Sequence, residues 1–405
     1  MHFLKYYILN KMVIVVNALI LNEKNEVLIV TRSDGKGKGL LSLPGGKVEK
    51  NEAIEEALMR EVNEETNLEI TDYAYFGNVK YNNDFPIIEL FICHAKGDIK
   101  LDNIELSSCQ YLEAGKMPLE KFYTPDTKIV SDLFKRISNY VKSVDLLKKI
   151  VEKNYILLTD RGNSSIILSL RLAKRKGVKD IYIADQGGWL TYKHFPKRLN
   201  LTLNEIKSQY GIISLDSVKN IKEGSALLLN SFPAYYTEQE DMKKIHEICR
   251  KRNILLINDI TGSIGLKSSK PGDVILGSFG EHKPVNCGYG GFIATDLLDD
   301  YNYFAQRFHK GKPDNFLANL ASNLSNLGKR RIYLSEISQK VKKELSEFEI
   351  INKSGEGIDV IVKFNNQKQK DKLIDYCKKN NYEYSMCPDY IRVLTDAICI
   401  EVKRL

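Results

Sequence analysis

The sequence predicts an α/β protein made of two unlike parts, and three observations lead to this prediction. A length of 405 residues, with 43% hydrophobic and 28% charged residues, suits two or three globular domains and argues against wholesale disorder. Before about residue 140, short apolar runs surround one helix that is rich in glutamate. From residue 155 onward, short apolar runs alternate with helical stretches, which is typical of a buried, mostly parallel sheet.

In the first part, two apolar, β-branched runs flank the polar segment 22–26 and predict a β-hairpin. A Pro-Gly-Gly turn at 44–46 then leads into a helix predicted over 51–66, and another helical pattern covers 127–153. The strands predicted in this part span 13–21, 27–31, 73–79, 87–95 and 109–112.

The second part is predicted to be a helix-flanked, mostly parallel sheet, followed by a helical region at 315–347 and a small α+β end. Its strands are predicted at 155–158, 180–184, 226–230, 254–259, 274–278, 291–295, 358–364, 390–394 and 397–402. The domain assignment that follows is 1–140, 150–310 and 311–405.

The net charge of +8 is unevenly distributed, because residues 1–140 carry 17 basic and 21 acidic residues and the remainder carries a net +12. The basic clusters lie in helical stretches. Solvated helix faces and small anionic ligands therefore explain them better than nucleic acid, for which the sequence has no recognisable binding motif.

The expected location is the cytoplasm, with no membrane partner. No apolar run approaches the roughly 18 residues that a bilayer requires. The apolar stretch 1–21 is interrupted by Lys5 and Lys11, so it resembles a strand more than a signal peptide. Seven scattered cysteines without a C-x-x-C pair disfavour a zinc site or a disulfide framework.

A group of glutamates on one predicted helix is the strongest functional signal. Glu61 and Glu65 are four residues apart and share a helix face, and Glu64 flanks Glu61. Like charges so placed repel each other, but together they suit a hard divalent cation such as Mg²⁺ or Mn²⁺, which prefers oxygen ligands. Arg60 can hold a glutamate by a bidentate pair, and Gly46 lets the preceding turn come close to the carboxylates.

The spacing of these residues resembles the Nudix box, G-x5-E-x7-R-E-U-x-E-E-x-G-U, in which U is an aliphatic residue. Gly46 and Glu52 open the box, Arg60 begins its second half, and Asn67 stands where the family has the last glycine. Asparagine also tolerates a left-handed helix end, so this departure is mild. The resemblance covers about residues 10–140 and implies an α/β/α sandwich.

The resemblance implies metal-dependent hydrolysis of a nucleoside diphosphate linked to another moiety. The implied residues are Glu61, Glu64 and Glu65 as catalytic and metal-binding groups, and Gly46, Glu52 and Arg60 as the rest of the box. The proton acceptor would be one of these glutamates or a carboxylate of a later loop. Glu105 lies in such a loop, although an ordinary exposed glutamate is its simpler interpretation. The substrate depends on loops outside the box, such as 33–39 and 81–85.

Three features of the second part indicate another site. Small and hydroxyl-bearing residues at 162–165 precede an apolar helix, and a helix N-terminus of this kind can bind an anion. Asp259 ends a buried apolar strand, where a carboxylate faces the ligand crevice of a parallel sheet. Lys283 follows the strand at 274–278, shortly before a glycine-rich segment.

This order of residues resembles the fold-type-I enzymes that use pyridoxal 5'-phosphate (PLP), and most closely the sugar aminotransferases of the DegT/DnrJ/EryC1/StrS group. The resemblance implies that Lys283 bonds covalently to PLP and that Asp259 pairs with the pyridine nitrogen. It also places Trp189, the only tryptophan, against the cofactor ring. The implied cofactor-binding residues are Asn163, Ser164, Trp189, Asp259, Ser278 and Lys283, with Asn163, Ser164 and Ser278 at the phosphate.

Two functions remain open at this point, because the chain has Gly262 where that group has Gln or His. In the first, the protein is bifunctional and combines Nudix hydrolysis with a PLP-dependent, aminotransferase-like activity on a sugar or amino-sugar. A nucleotide or nucleotide-sugar would then be the shared kind of substrate, and the resemblance implies a homodimer. In the second, the protein is a Nudix pyrophosphohydrolase whose second domain is a catalytically silent binding or dimerisation module.

Overall fold

The computed structural model describes residues 13–81, 86–102, 104–239 and 241–405, apart from the side chains of Lys36 and Asp314. Residues 1–12 of the apolar N-terminal stretch and residues 82–85 of the expected substrate loop lie outside these ranges. The chain divides into two compact units, Met1–Lys142 with Ala305–Ala318, and Ser143–Phe304 with Asn319–Leu405. Across the described ranges, no helix combines the length and apolar character needed to cross a membrane.

The first unit contains a four-stranded sheet of order β4-β1-β6-β5 and a three-stranded sheet of order β3-β2-β7. Its strands are β1 (Ile14–Ile20), β2 (Val27–Arg32), β3 (Leu41–Ser42), β4 (Gly45–Lys47), β5 (Glu69–Val79), β6 (Ile87–Lys96) and β7 (Leu106–Leu112). Its helix α1 (Ile54–Thr66) precedes β5, and the long helix α2 (Thr127–Val151) leads out of the unit. Strands β1 and β6 run parallel, and their neighbours β4 and β5 are antiparallel to them.

Strands β1 and β2 do not form the predicted hairpin. They share a single bridge between Leu21 and Val27, and then β1 pairs with β4 and β6 while β2 pairs with β3 and β7. The reason is that both strands are apolar on both faces, as the full burial of every residue from 27 to 30 illustrates. Such strands belong inside a sandwich, where each face is covered, and not in a two-stranded ribbon.

A segment from much later in the chain completes the first unit, and we call residues 305–318 the strap. Lys312 is 7% exposed, and its Nζ donates to the carbonyl oxygen of Tyr75 in β5 at 3.1 Å. His309 Nε2 lies 3.2 Å from Glu55 Oε1 in the first turn of α1. Burial lowers the pKa of Lys312 to about 8, and the nearby charge of Arg136 acts in the same direction.

The second unit is built on a seven-stranded sheet of order β10-β9-β11-β12-β13-β14-β8, in which β14 runs antiparallel to both of its neighbours. The strands of this sheet are β8 (Tyr155–Thr159), β9 (Asp180–Ala184), β10 (Thr202–Ile206), β11 (Ala226–Asn230), β12 (Leu255–Asp259), β13 (Val274–Ser278) and β14 (Gly291–Thr295). The intervening helices are α3 (Gly162–Arg175), α4 (Thr191–Arg198), α5 (Leu215–Lys219) and α6 (Met242–Lys251).

Helices α7 (Leu298–Ala305), α8 (Asp314–Ser325) and α9 (Leu327–Glu344) follow, and a small α+β part ends the chain. This part has strands β15 (Val360–Lys363), β16 (Tyr384–Cys387) and β17 (Ala397–Ile400), in the order β15-β17-β16, with helix α10 (Gln367–Lys379) between the first two. The prediction of a mostly parallel α/β sheet with a small α+β end is therefore confirmed.

Two strands of the second unit differ from the prediction. The sequence pattern missed β10, an edge strand in which three of the five residues are polar, so that it has no apolar run. The strand predicted at 390–394 is a turn, and β16 takes its place in the sheet. Pro388 follows β16 directly and cannot donate a hydrogen bond to a neighbouring strand, so the strand ends before it.

Candidate functional site

The first candidate site lies on α1, where the buried face of the helix carries a carboxylate among its apolar residues. Ala57, Leu58 and Val62 pack in the core of the first unit, and Glu65, on the same face, is only 7% exposed. Glu65 Oε2 accepts a hydrogen bond from the backbone N–H of Gly45 at 2.8 Å. The glycine turn therefore lies directly against the helix, as the spacing of the box predicts.

Gly46 is needed because of this close approach. A Cβ atom at position 46 would lie 2.2 Å from Glu61 Oε2, well inside van der Waals contact. The helix ends at Asn67, which adopts a left-handed conformation with φ of 60°. Asparagine thus supplies the helix end that the last glycine of the box provides elsewhere.

Arg60 connects three of the glutamates. Its Nε and Nη2 donate to the two oxygens of Glu52 at 2.8 and 3.0 Å, which is a bidentate pair. Its Nη1 donates to Glu61 Oε1 at 2.9 Å and to Glu64 Oε2 at 3.0 Å. The guanidinium therefore fixes these carboxylates next to one another, and the Glu52 pair raises the pKa of Arg60 further.

The positive charge of Arg60 does not fully compensate the negative charges of the carboxylates in this site. The pKa of Glu65 is raised to about 7, mainly by burial and to a smaller extent by the charges of Glu61 and Glu105, against the opposing hydrogen bond from Gly45. Burial likewise raises the pKa of Glu61, although Arg60 opposes the shift. In contrast, Arg60 lowers the pKa of Glu52. Protons or cations are therefore favoured between Glu61 and Glu65.

These donors suit a hard divalent cation, although they are not yet gathered around one. Among the described side chains, no group of three or more His, Cys, Asp or Glu residues is arranged to hold a metal ion. Glu61 and Glu64 instead turn one oxygen each towards Arg60. The fit rests on the chemistry of the donors, because Glu61 and Glu65 offer carboxylate oxygens whose mutual repulsion Mg²⁺ or Mn²⁺ would relieve.

The second candidate site is a cavity of about 430 Å³ in the second unit, at the carboxyl ends of β11, β12 and β13. Its volume falls within the usual range for small-molecule sites. Five of the six residues expected to bind a cofactor line this cavity. They are Asn163, Trp189, Asp259, Ser278 and Lys283.

Lys283 lies among aromatic side chains. Its Nζ donates to Tyr235 Oη at 2.9 Å and lies 5.4 Å from the centre of the Trp189 ring. Trp189 is 40% exposed, and its Nε1 donates to Asn163 Oδ1 at 2.9 Å. The indole is therefore held at the first turn of α3 and lines the cavity, where a flat ring could stack on it.

Asp259 is 5% exposed at the end of β12 and is held on both of its oxygens. Its Oδ1 accepts from the backbone N–H of Thr261 at 2.9 Å and from the Thr261 hydroxyl at 2.6 Å. Its Oδ2 accepts from the buried hydroxyl of Tyr192 at 2.5 Å. The carboxylate is thus fixed in orientation, as a partner for a ring nitrogen must be, and burial with the charge of Asp259 keeps the pKa of Tyr192 high.

The expected phosphate residues behave differently from one another. Gly162 opens α3 so close to β13 that a Cβ atom there would lie 2.8 Å from the Cβ of Ser278. Asn163 and Ser278 both line the cavity. Ser164 does not, because its hydroxyl turns away and donates to Asp160 at 2.5 Å. The positive N-terminal end of α3 therefore faces the cavity through Gly162 and Asn163.

The sequence did not reveal Tyr235, which together with Phe232 crowds the position of the unexpected glycine at 262. A Cβ atom on Gly262 would lie 2.9 Å from Phe232 and 3.1 Å from the ring of Tyr235. Phe232 and Tyr235 together therefore occupy the space that a larger side chain at 262 would need. The available signal was its position just after β11, at the same edge of the sheet as Asp259.

Comparison with known proteins identifies the domain that contains the first site. The family model described as the NUDIX domain matches residues 11–133. This part of the chain is a NUDIX domain. The predicted Nudix hydrolase domain is thus confirmed. In this protein it contains the two sheets and helix α1 of the first unit.

Two curated relatives match the NUDIX domain. The putative 8-oxo-dGTP diphosphatase of Bacillus subtilis is 29% identical over 144 residues, which is 32% of this chain and 92% of that protein. The ADP-ribose pyrophosphatase of Methanocaldococcus jannaschii is 45% identical over 49 residues, which is 12% of this chain and only 29% of that protein. The matches reach no further than about a third of this chain, so they do not describe its second unit.

The second unit is recognised by its fold. The crystal structure of 3-amino-5-hydroxybenzoic acid synthase superposes with a TM-score of 0.53 at 11% identity, covering 69% of this chain and 92% of that one. The chain therefore contains, beside its NUDIX domain, a domain with the fold of PLP-dependent aminotransferases, as predicted. A second family model, described as the MJ1341 family C-terminal domain, matches residues 330–405.

The raised pKa of Glu65 leads to a prediction about metal binding by the NUDIX domain. Below pH 7 a proton competes with the cation for this carboxylate, and above pH 7 the carboxylate is free to bind. We expect the dissociation constant for Mn²⁺ to be about tenfold larger at pH 6 than at pH 8. Calorimetric titration of the whole protein at both pH values measures this ratio.

Two variants serve as references for the ratio of the Mn²⁺ dissociation constants at pH 6 and pH 8. Glu65→Gln removes the titrating group, so its affinity for Mn²⁺ is expected to be weaker and nearly independent of pH. Glu69→Gln changes an exposed glutamate paired with Lys96 at 3.1 Å and is expected to keep the pH dependence of the unaltered protein. Equal affinities at pH 6 and 8 in the unaltered protein would contradict this prediction, because either Glu65 does not bind the cation or its carboxylate is already ionised at pH 6.

Proposed function

We propose that the NUDIX domain is a pyrophosphohydrolase that needs Mg²⁺ or Mn²⁺ and cleaves a nucleoside diphosphate linked to another moiety. One observation carries the proposal. Glu61 and Glu65 both lie against the glycine turn, and burial raises the pKa of each, so a proton or a cation is favoured there. This is the arrangement expected of carboxylates that share a divalent cation.

The residues of the box then have separate tasks. Glu61 and Glu65 bind the cation, and Glu64 assists from the exposed side of α1. A divalent cation held there would neutralise charge on the pyrophosphate and favour ionisation of the attacking water. Arg60 keeps the glutamates in place, with Glu52 as its bidentate anchor. A glutamate of this group accepts the proton of the attacking water.

A panel of phosphoanhydrides tests the hydrolase. It would contain ADP-ribose, NAD, several nucleotide-sugars, dGTP and 8-oxo-dGTP, each incubated with Mg²⁺, with Mn²⁺ or with EDTA. Chromatography of the nucleotide products shows which bond is cleaved. We expect cleavage within the diphosphate of at least one compound, and none with EDTA. Absence of cleavage throughout the panel with both metals would refute the proposal.

For the second unit we propose a PLP site with aminotransferase-like activity on a sugar or amino-sugar. The observation that favours it is the convergence, in one cavity, of the Lys283 amine, the Trp189 ring, the Asp259 carboxylate and the N-terminal end of α3. These four groups match the aldehyde, ring, ring nitrogen and phosphate of the cofactor. A nucleotide-sugar is the substrate class that both domains could share, and we propose that the protein acts as a cytoplasmic homodimer.

Each residue of this site would act on a different part of the cofactor. Bound PLP supplies an electron sink for a substrate amine. Gly162 and Asn163 bind the phosphate with Ser278, Trp189 stacks on the ring, and Asp259 holds a proton at the ring nitrogen. Lys283 would hold the aldehyde end of the cofactor and would accept and donate protons at its Nζ.

Absorption spectroscopy with added PLP tests this second proposal. A visible band that disappears on addition of an amino donor supports transamination, and amino-sugars and amino acids would be screened as donors. If the protein hydrolyses phosphoanhydrides but shows no such band, the second unit is a silent binding or dimerisation module. Sedimentation measures whether the protein is a dimer.

A further inference from the structure

Tyr235 touches the lysine of the cavity and is itself held by an unusual backbone. It follows β11, and both Ala234 (φ of 48°) and Tyr235 (φ of 62°) adopt the left-handed region. Neither residue is a glycine, so both positions are strained. Strain of this kind persists only when the surroundings impose it, and it concentrates at functional positions.

Hydrogen bonds from two directions impose this conformation. The Ala234 N–H donates to the carbonyl oxygen of Gly187 at 3.1 Å. The carbonyl oxygen of Tyr235 accepts from the N–H groups of Ile358 and Asp359 at 2.9 and 3.0 Å. The segment is thus fixed both to the cavity wall and to the start of the C-terminal α+β part.

A buried ion cluster fixes the Tyr235 ring as well. Lys403 Nζ lies 4.9 Å from the ring centre and is bound to Asp359 Oδ2 at 2.6 Å and to Glu401 Oε2 at 3.0 Å. All three of these charged side chains are buried. A cation held in this way attracts the face of the ring and favours this orientation of it.

Gly262 also helps to define the position of the Tyr235 ring. Its missing side chain leaves the space that Tyr235 occupies. The phenol oxygen is therefore a fixed point on the cavity wall, and Lys283, at the end of a flexible stem, is the partner that adapts to it.

We propose that Tyr235 is a positioning residue for Lys283, and this inference rests on the proposed PLP site. The phenol oxygen holds Nζ towards the Trp189 side of the cavity, where the aldehyde of the cofactor would lie. In the bond-forming step, the neutral amine nitrogen bonds the aldehyde carbon, and the aldehyde oxygen leaves as water with the two amine hydrogens. Tyr235 contributes by limiting the positions of Nζ before this step.

The variant Tyr235→Phe isolates the phenol oxygen, because it keeps the ring, its contact with Lys403 and the backbone hydrogen bonds. Two quantities would be measured with the full chain and PLP. Quenching of the fluorescence of Trp189, the only tryptophan, gives the dissociation constant for PLP. Trapping with borohydride at timed intervals, followed by mass measurement of the peptide that holds Lys283, gives the rate of covalent attachment.

We expect attachment in Tyr235→Phe to be about tenfold slower, with the dissociation constant changed less than threefold and the melting temperature unaltered. The matched control is Tyr236→Phe, which removes a neighbouring hydroxyl that donates to the carbonyl of Tyr210 at 3.0 Å. Its attachment rate is expected to stay within twofold of the unaltered protein.

The outcomes separate the inference from the function on which it rests. If PLP neither quenches the Trp189 fluorescence of the unaltered protein nor becomes attached to it, the proposed PLP site is wrong. The proposed role of Tyr235 is then wrong as well. If the unaltered protein attaches PLP and Tyr235→Phe attaches it equally fast, the PLP site stands and the positioning role is refuted. If Tyr235→Phe loses affinity and rate in equal proportion, Tyr235 supports the shape of the cavity and does not position Lys283.

Discussion

Replacing Glu65 by glutamine is expected to lower kcat for phosphoanhydride hydrolysis about 10³-fold, with little change in folding. Glutamine keeps the size of the side chain and can still accept the Gly45 N–H through its amide oxygen. It removes the negative charge that would bind the cation and help to activate the water. The measurement is the initial rate on whichever panel compound the unaltered protein cleaves best, at saturating Mg²⁺ or Mn²⁺.

The control for this variant is Glu69→Gln, which changes a carboxylate that is exposed and outside the box. It is expected to retain full activity. A melting curve for Glu65→Gln verifies that the domain is folded, and removal of a buried charge with a raised pKa is expected to leave it at least as stable. A Glu65→Gln protein that hydrolyses at the unaltered rate would remove Glu65 from the mechanism.

Replacing Lys283 by alanine is expected to abolish covalent attachment of PLP and to lower any transamination about 10²–10⁴-fold. The amine is the only group of Lys283 that can bond an aldehyde. Noncovalent binding should survive, because Trp189, Asp259 and the start of α3 are untouched. The measurement is the visible absorption band and the borohydride-stable mass increase in the peptide around position 283.

Lys270→Ala provides the comparison, since Lys270 is a surface lysine of the same unit paired with Glu152. Its spectrum and mass increase are expected to equal those of the unaltered protein. A mass increase that persists in Lys283→Ala would place the reactive amine elsewhere. No band in any of the three proteins would favour the silent module over the transferase.

Much of both sites could be predicted because their residues occupy positions that strand and helix periodicity define. Asp259 was found because it ends an apolar strand, and the described β12 ends at that residue. Glu61 and Glu65 were found because four residues make about one helical turn. In both cases a local pattern determines where the side chain points.

The rest depends on contacts that no local pattern records. The pairing of β1 and β2 with different sheets follows from burial of both strand faces, and a run of apolar residues does not name its neighbours. Tyr235 reaches Lys283 only because its backbone is left-handed, which the sequence of two non-glycine residues opposes. The hydroxyl of Ser164 donates to Asp160, four residues before it, and Ser164 does not line the cavity.

The strap has a topological consequence for how this protein can be divided. The chain passes between its two units three times, at 142, at 304 and at 318. Truncation at residue 142 therefore yields a NUDIX domain without its own last segment. The carbonyl of Tyr75 and the carboxylate of Glu55 would lose Lys312 and His309 as partners. A recombinant first unit keeps these two contacts only if the strap is supplied, either by a designed linker from α2 or as a separate peptide.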